Sequence, residues 1–280
     1  MRNMFKSKRY DEETLKHLQK VQLMMLKYFM KVCEEHDLDY FIYAGSLIGA
    51  VRHGGFIPWD DDVDVIMFRK DFEKLSKILE TEIDEKYWFI NVLNEETYHY
   101  TWGRLLLKNT LLKEWWGDQV DYTPNIFIDI FILDNIPKNK FKRFIQKWTS
   151  FTLNQLTMYA YIKFENESTI KKIIQQTIHY FLKIIPISPN TIKRKCVETF
   201  KKYMDEECDE VCDFPAISQM PVYFKSDYLP AKKVKFEDIE VPIPNNFDKV
   251  LTRHYGDYMT LPPVESRWRP APEKIEFGEY

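Results

Sequence analysis

Apolar positions change period several times along the first half of the chain, and each change marks an element. Leu18, Val21, Met25, Tyr28 and Val32 recur at helical spacing behind Asp11, a capping residue. This predicts a helix over 12–36 with that stripe on its core face. Residues 40–44 read as a short buried strand, broken by Gly45-Ser46, with a helical turn over 47–51. Gly54, Gly55 and Pro58 make a loop leading to a new strand that holds Asp62 and Asp64 and runs into Val65-Ile66-Met67-Phe68. A helix is expected over 71–79, strands over 88–92 and 102–107, and a turn at Lys108-Asn109 before Leu111-Leu112. The near-continuous apolar run 126–133 has the pattern of a central strand.

From residue 138 the period becomes helical. Lys138, Lys140, Lys142, Arg143 and Lys147, with no acid among them, flank Phe141, Phe144, Ile145, Trp148 and Thr152, which are spaced for one helix face. A second amphipathic helix carries Ile170, Ile173, Ile174, Ile178, Phe181, Leu182 and Ile185, and ends at Pro186 and Pro189. The basic helix is expected to pack its apolar face on its own core and to leave its lysines solvated. The alternative is a peripheral contact with an anionic membrane surface. Strand character returns over 235–242, then a helix from near Asn246 to Gly256, then an extended proline-rich tail from 261. The chain divides into a core over 1–137, a helical insertion over 138–215 and a C-terminal segment over 216–280 that packs back on the core.

Composition narrows the classes. Forty basic and 43 acidic residues leave a net charge of −3, so there is no global pull toward nucleic acid. Aromatic residues reach 16% and there are only 8 glycines, which argues against disorder. No uncharged apolar run is long enough to cross a bilayer, and the N-terminal stretch has no apolar signal core. Cys33, Cys196, Cys208 and Cys212 match neither a disulfide framework nor zinc spacing, and suit a reducing cytosol.

The candidate chemistry lies in Pro58-Trp59-Asp60-Asp61-Asp62-Val63-Asp64-Val65. On a strand, Asp62 and Asp64 would share a face with Cα atoms about 7 Å apart. Two such anions resist joint ionisation unless a cation sits between them, and Mg²⁺ is commonly held by carboxylates and substrate phosphates. Gly45-Ser46 at a strand-to-helix junction offers backbone N–H groups to a phosphate, Ser46 adds a hydroxyl, and Arg52 can pair with a phosphate oxygen. Asp129, amid Ile126-Phe127-Ile128 and Ile130-Phe131-Ile132, is costly to bury unpaired and is the expected third acid, as metal ligand or general base. Asp134 reads as a turn residue, and Asp60 and Asp61 as a solvated loop. Arg104 is either a phosphate contact or the ion-pair partner of a core acid. An EF-hand fails because Val65 and Asp71 stand where Gly and Glu are needed. Ala44 rules out a nucleophile elbow at Ser46.

The run from Tyr43 through Gly45-Ser46, Gly54-Gly55 and Trp59-Asp60-Asp61-Asp62-Val63-Asp64-Val65 closely resembles the signature of the LicD family, the bacterial phosphocholine transferases and fukutin-type proteins. The likeness reaches from the N-terminal helix to Phe131, and returns at 236–244 and 254–263. The segment 138–215 carries no matching signature. The resemblance implies an α+β, nucleotidyltransferase-like fold: a small mixed sheet flanked by helices. It implies that Gly45 and Ser46 hold phosphate and that Asp62, Asp64 and Asp129 bind Mg²⁺, with Mn²⁺ a substitute. It further implies a CDP-linked donor such as CDP-choline. The acceptor would be a sugar hydroxyl of a teichoic acid, lipopolysaccharide or other surface polysaccharide precursor, lipid-linked or oligosaccharide, and CMP would leave. Ribitol or glycerol phosphate as cargo, a true nucleotidyltransferase releasing pyrophosphate, and a non-catalytic glycan-assembly subunit are the competing readings. A quaternary ammonium would want an aromatic cage, for which Trp115, Trp116 and Tyr122 are available. The setting implied is cytoplasmic or peripheral at the inner face of the membrane, with no obligate protein partner.

Overall fold

The computed structural model of the protein describes residues 8–114, 122–162, 169–184, 187–216 and 220–280. Helix α1 (Glu12–Glu35) begins where Asp11 accepts a hydrogen bond from the Thr14 amide, and it buries Leu18, Val21, Met25 and Val32 as expected. β1 (Tyr40–Ile42) leads into α2 (Ala44–His53), which closes on Gly54 in the left-handed conformation, φ 69°. Gly45 and Ser46 do not separate strand from helix; they form the first turn of α2. β2 covers Asp64–Phe68, so Asp62 precedes the strand in an irregular segment and the shared-face argument does not reach it. α3 (Arg69–Thr81), β3 (Tyr87–Ile90), β4 (Gly103–Leu107) and β5 (Leu111–Lys113) follow close to the expected places. Asn109 makes the turn at φ 61°.

β6 (Ile126–Ile136) is the spine of the main sheet. The strand order is β1-β2-β6-β4-β3, with β2 parallel to β6 and the other pairs antiparallel. The fold is α+β and nucleotidyltransferase-like: one mixed sheet with helices against it. β6 is buried on both faces, which is why its sequence is almost uniformly apolar. Its two acids point to opposite faces, since 129 and 134 differ by an odd number of residues. Each meets an arginine. Asp134 is fully buried and accepts two bonds from Arg69, at 2.7 and 2.8 Å; it is a core ion pair and not a turn residue.

The segment beyond 137 contains α4 (Lys140–Tyr161), α5 (Thr169–Ile184) and α6 (Pro189–Phe200). Pro189 opens α6 behind the Ser188 cap, where Pro is tolerated because its missing N–H has no helical partner. The chain then returns to the sheet through β7 (Glu210–Cys212), which pairs with residues 134–136 of β6, and β8 (Val222–Phe224) pairs with β7. The expectation for α4 is reversed. Its inward face is Gln146, Ser150, Asn154, Thr157 and Ala160, and Phe141, Phe144, Ile145 and Trp148 face outward. Three of these inward residues make hydrogen bonds: Gln146 donates to carbonyls of Asn135 and Phe200, Asn154 accepts from Thr101, and Thr157 donates to the Leu153 carbonyl, whereas Ser150 Oγ has no partner among the described residues. After α7 (Lys225–Tyr228), the hairpin β9 (Lys232–Phe236) and β10 (Ile239–Ile243) and helix α8 (Phe247–Tyr255) pack on the core. The tail ends in β11 (Lys274–Glu276), paired with β5. All four cysteines are buried and unpaired. Among the described residues no helix is long and apolar enough to cross a membrane.

Candidate active site

Sheet register assembles the centre of the site. Asp64 on β2 stands opposite Asp129 on β6, and Asp129 stands opposite Arg104 on β4. Residues directly opposite each other share a face, with Cβ atoms about 5 Å apart. One row across three strands therefore carries two carboxylates and a guanidinium, and all three side chains are buried. Arg104 Nε donates to Asp129 Oδ1 at 2.6 Å and a terminal nitrogen donates to Oδ2 at 3.1 Å; Trp102 Nε1 also donates to Oδ1, at 2.8 Å. Of the two readings open for Arg104, the ion pair with a core acid is the one observed. Both lone-pair directions of Oδ1 are occupied, and among the described residues Oδ2 accepts only the Arg104 bond.

Asp62 reaches this row from the loop. Its carboxyl is pushed well above the usual range, first by burial and then by Asp60, Asp61 and Asp129. Asp64 is pushed up by burial and then by Asp62 and Asp129. Asp60, Asp61 and Asp62 each present an oxygen within 4.8 Å of the others, the one such three-acid set among the described residues. Asp62, Asp64 and Asp129 feel one another but do not form so close a set, and Asp129 is bonded to Arg104 and Trp102.

Asp60 and Asp61 are not a solvated loop. Asp60 is 2% exposed, and Arg269 from the C-terminal tail donates to its Oδ1 at 3.0 Å. Asp61 is half-buried, pushed up to about 6 by burial and by Asp60, and bonded to the Tyr10 hydroxyl. Gln19 of α1 donates to the Asp60 carbonyl at 2.8 Å and Gln22 to that of Asp61 at 3.0 Å. The N-terminal helix thus clamps the acidic loop. Sequence reasoning missed this, although Gln22 next to Val21 on an apolar stripe was a signal. Arg269, Tyr10 and Trp102 were missed too, and no local pattern marks them.

The start of α2 packs against the same acids. Ser46 is buried, and its Oγ accepts from the Asp64 amide at 2.9 Å; the Tyr43 amide donates to the Asp64 carbonyl, also at 2.9 Å. Ala44 holds φ 47°, a left-handed value that costs a residue with a Cβ roughly 1–2 kcal/mol. A Cβ on Gly45 would lie 2.7 Å from Asp60 Oδ2, so only glycine lets that carboxylate approach the first turn, where helix N–H groups favour negative charge. Arg52, at the far end of α2, donates to the Tyr258 carbonyl at 2.5 Å and ties α8's exit to the core. Trp59 is half-buried, with the Arg267 guanidinium 5.8 Å from its ring centre.

Tyr100, Trp102 and Phe131 line up beside Asp129 as a stack of half-buried rings, with centroids 4.2 and 5.1 Å apart. Tyr122 is buried; Trp115 and Trp116 lie outside the described residues.

The acid set suits a hard divalent cation on chemical grounds. Five carboxylates (Asp60, Asp61, Asp62, Asp64, Asp129) converge on two guanidiniums (Arg104, Arg269), which leaves excess negative charge on oxygen donors.

The chain is similar to several known proteins. Residues 37–167 match the family described as LicD/FKTN/FKRP, nucleotidyltransferase domain. The chain is 29% identical over 269 residues to the lipopolysaccharide cholinephosphotransferase LicD of Haemophilus influenzae, an alignment covering 91% of this chain and 94% of that one. Over 64 residues it is 36% identical to the ribitol 5-phosphate transferase FKRP of Homo sapiens and of Mus musculus, covering 21% of this chain and 13% of theirs. With its signature, its sheet and its relatives in agreement, residues 37–167 carry a LicD/FKTN/FKRP-type nucleotidyltransferase domain, and the chain as a whole is similar to a LicD transferase.

Proposed function

We propose that this enzyme moves a phospho-alcohol, phosphocholine in the first reading, from a CDP-linked donor to a sugar hydroxyl of a lipopolysaccharide, teichoic acid or related surface-polysaccharide precursor, with release of CMP. The observation that carries the reading is the register row Asp64–Asp129–Arg104 with Asp62 beside it, in a chain aligned along 94% of a cholinephosphotransferase. The reaction forms a bond from the acceptor oxygen to the phosphorus that bears the alcohol. It breaks the bond from that phosphorus to the CMP oxygen, and the hydroxyl proton leaves to a carboxylate or to solvent.

Asp62, Asp64 and Asp129 Oδ2 would hold Mg²⁺, or Mn²⁺ in its place. The ion supplies charge neutralisation for the donor diphosphate when bound. Arg104 and Trp102 fix the Asp129 carboxylate in one orientation, next to the acceptor hydroxyl in our assignment. Ser46 holds the backbone of Asp64, and the first turn of α2 at Gly45 offers its N–H dipoles to a phosphate. Arg52 sits at the other end of α2 and acts on the donor diphosphate only if its bond to Tyr258 opens. Tyr100, Trp102 and Phe131 place aromatic rings, the residue type that a quaternary ammonium favours, beside Asp129, although Trp102 is stacked against both of the others. Ribitol phosphate is the second reading, favoured by the local identity to FKRP.

Incubation with Mg²⁺, a glycan acceptor and either CDP-choline carrying a label in the choline or labelled CTP tests the proposal. Transfer of choline label to the glycan with stoichiometric CMP is expected. Label incorporated only from CTP, with pyrophosphate released, would replace phospho-alcohol transfer by nucleotidyl transfer.

A further inference from the structure

Helix α4 is inverted relative to the usual amphipathic arrangement. Its outward face holds Phe141 at 71% exposure, Phe144 at 59%, Ile145 at 43% and Trp148 at 56%. At about 100° per residue these four fall within an arc of about 100°, and the buried Gln146, Ser150 and Asn154 lie on the opposite side. The apolar stripe is therefore not a displaced core face; the helix is already packed through its other side. Burying four large side chains that water now touches is a sizeable gain that the fold leaves uncollected.

Charge identifies the occupant. Residues 138–162 contain no Asp or Glu. Lys140 and Lys147 flank the stripe on one side and Lys142 on the other, all exposed. Lys142 reaches Glu206 only at 3.8 Å, and Lys140 and Lys147 have no ion-pair partner among the described residues. Arg143 is turned inward to Glu210. An apolar centre of Phe, Ile and Trp with lysines at both margins is the layout of a helix lying in a bilayer interface, where the long stems reach up to anionic headgroups. α5, which packs on α4 through Ile178 and Leu182, adds its own exposed residues: Ile173 at 59%, Phe181 at 60% and Ile184 at 81%. A second copy of the chain fits less well. A two-fold contact would bring two lysine margins together, and this small set of side chains falls short of the 20–30 residues a side of a stable interface.

We propose that the outward face of α4 is a docking surface for an anionic lipid bilayer, holding the enzyme on the membrane surface without spanning it. The inference does not depend on the donor or acceptor assigned above, because binding is read without turnover.

The test is co-sedimentation of the full chain with vesicles of phosphatidylcholine alone or with about one-third phosphatidylglycerol. Binding to the anionic vesicles is expected, weakening as salt rises. Phe144→Ser with Trp148→Ser should weaken it about tenfold or more, and Lys140→Glu with Lys147→Glu should abolish the preference for anionic lipid. Both pairs are exposed, so unchanged circular dichroism and melting are expected. For the unsubstituted chain, brominated lipid should quench a fluorescence component that Trp148→Phe removes. The proposal is overturned if the protein stays in the supernatant with both vesicle types, or if the apolar double variant binds equally well. A dimer in light scattering that the same variant splits would also overturn it, assigning the face to a second copy.

Discussion

Replacing Asp62 by Asn should stabilise the metal-free enzyme while destroying its activity. Asp62 presents an oxygen within 4.8 Å of oxygens of Asp60 and Asp61. Two unit charges at that separation repel by about 3.5 kcal/mol at an effective dielectric of about 20. Two terms reduce what the substitution recovers. Arg269 already offsets Asp60, and burial, which pushes the Asp62 carboxyl upward, favours its neutral form and so relieves part of the repulsion. A net gain of about 1–3 kcal/mol remains, or a melting temperature about 2–6 °C higher at this chain length. Asn keeps the volume and a carbonyl oxygen but loses the charge a divalent ion needs, so transfer should fall by about a hundredfold or more. The assay is a thermal melt in EDTA and in Mg²⁺, run beside a CMP-release assay. Wild-type protein should gain more from Mg²⁺ than the variant, because binding to the folded state alone adds to stability. If Asp62→Asn melts below wild type in EDTA, or keeps both the Mg²⁺ shift and the activity, the argument from repelling acids is wrong.

Other outcomes follow from the same geometry. Burial pushes Asp61 up to about 6 and Asp213 up to about 7, so both hold protons more tightly folded than unfolded. Their stabilising contribution is full below about pH 4 and is lost as pH rises through those values, so metal-free protein should melt higher at pH 6 than at pH 8, a difference that Asp213→Asn shrinks. A flat profile between those pH values would refute it. Arg69→Met leaves Asp134 buried and unpaired and should cost about 3–5 kcal/mol in urea unfolding, while Arg69→Met with Asp134→Leu recovers most of it. Equal losses in the single and double variants would count against a compensated pair. Gly45→Ala should push Asp60 off the first turn of α2, at a cost of about 1–3 kcal/mol, and lower the transfer rate. A Gly45→Ala enzyme as stable and active as wild type would mean that the close approach is unimportant.

Much of this fold was legible in the sequence because its elements carry short-range signals. The Asp11 cap, the 3.6-residue stripe of α1 and the apolar run of β6 each fix an element by local physics. What escaped depends on long-range pairing. Nothing near Asp134 announces Arg69, 65 residues away, so an acid at the end of an apolar run looked like a turn. Asp60 looked solvated because Arg269 arrives from 209 residues downstream. α4 misled for a different reason. Its apolar period was read correctly, but period says which side chains share a face and not whether that face is covered. At the site, the residue types and their order were readable. The facing of Asp64, Asp129 and Arg104 was not, because it is set by strand register.

The most direct measurement is an anomalous difference map from crystals grown with Mn²⁺ and CDP-choline. We expect a manganese peak bonded to oxygens of Asp62, Asp64 and Asp129, with the donor diphosphate completing its coordination. A peak held by Asp60 and Asp61 away from Asp129, or ordered donor with no metal between it and these acids, would contradict the assignment.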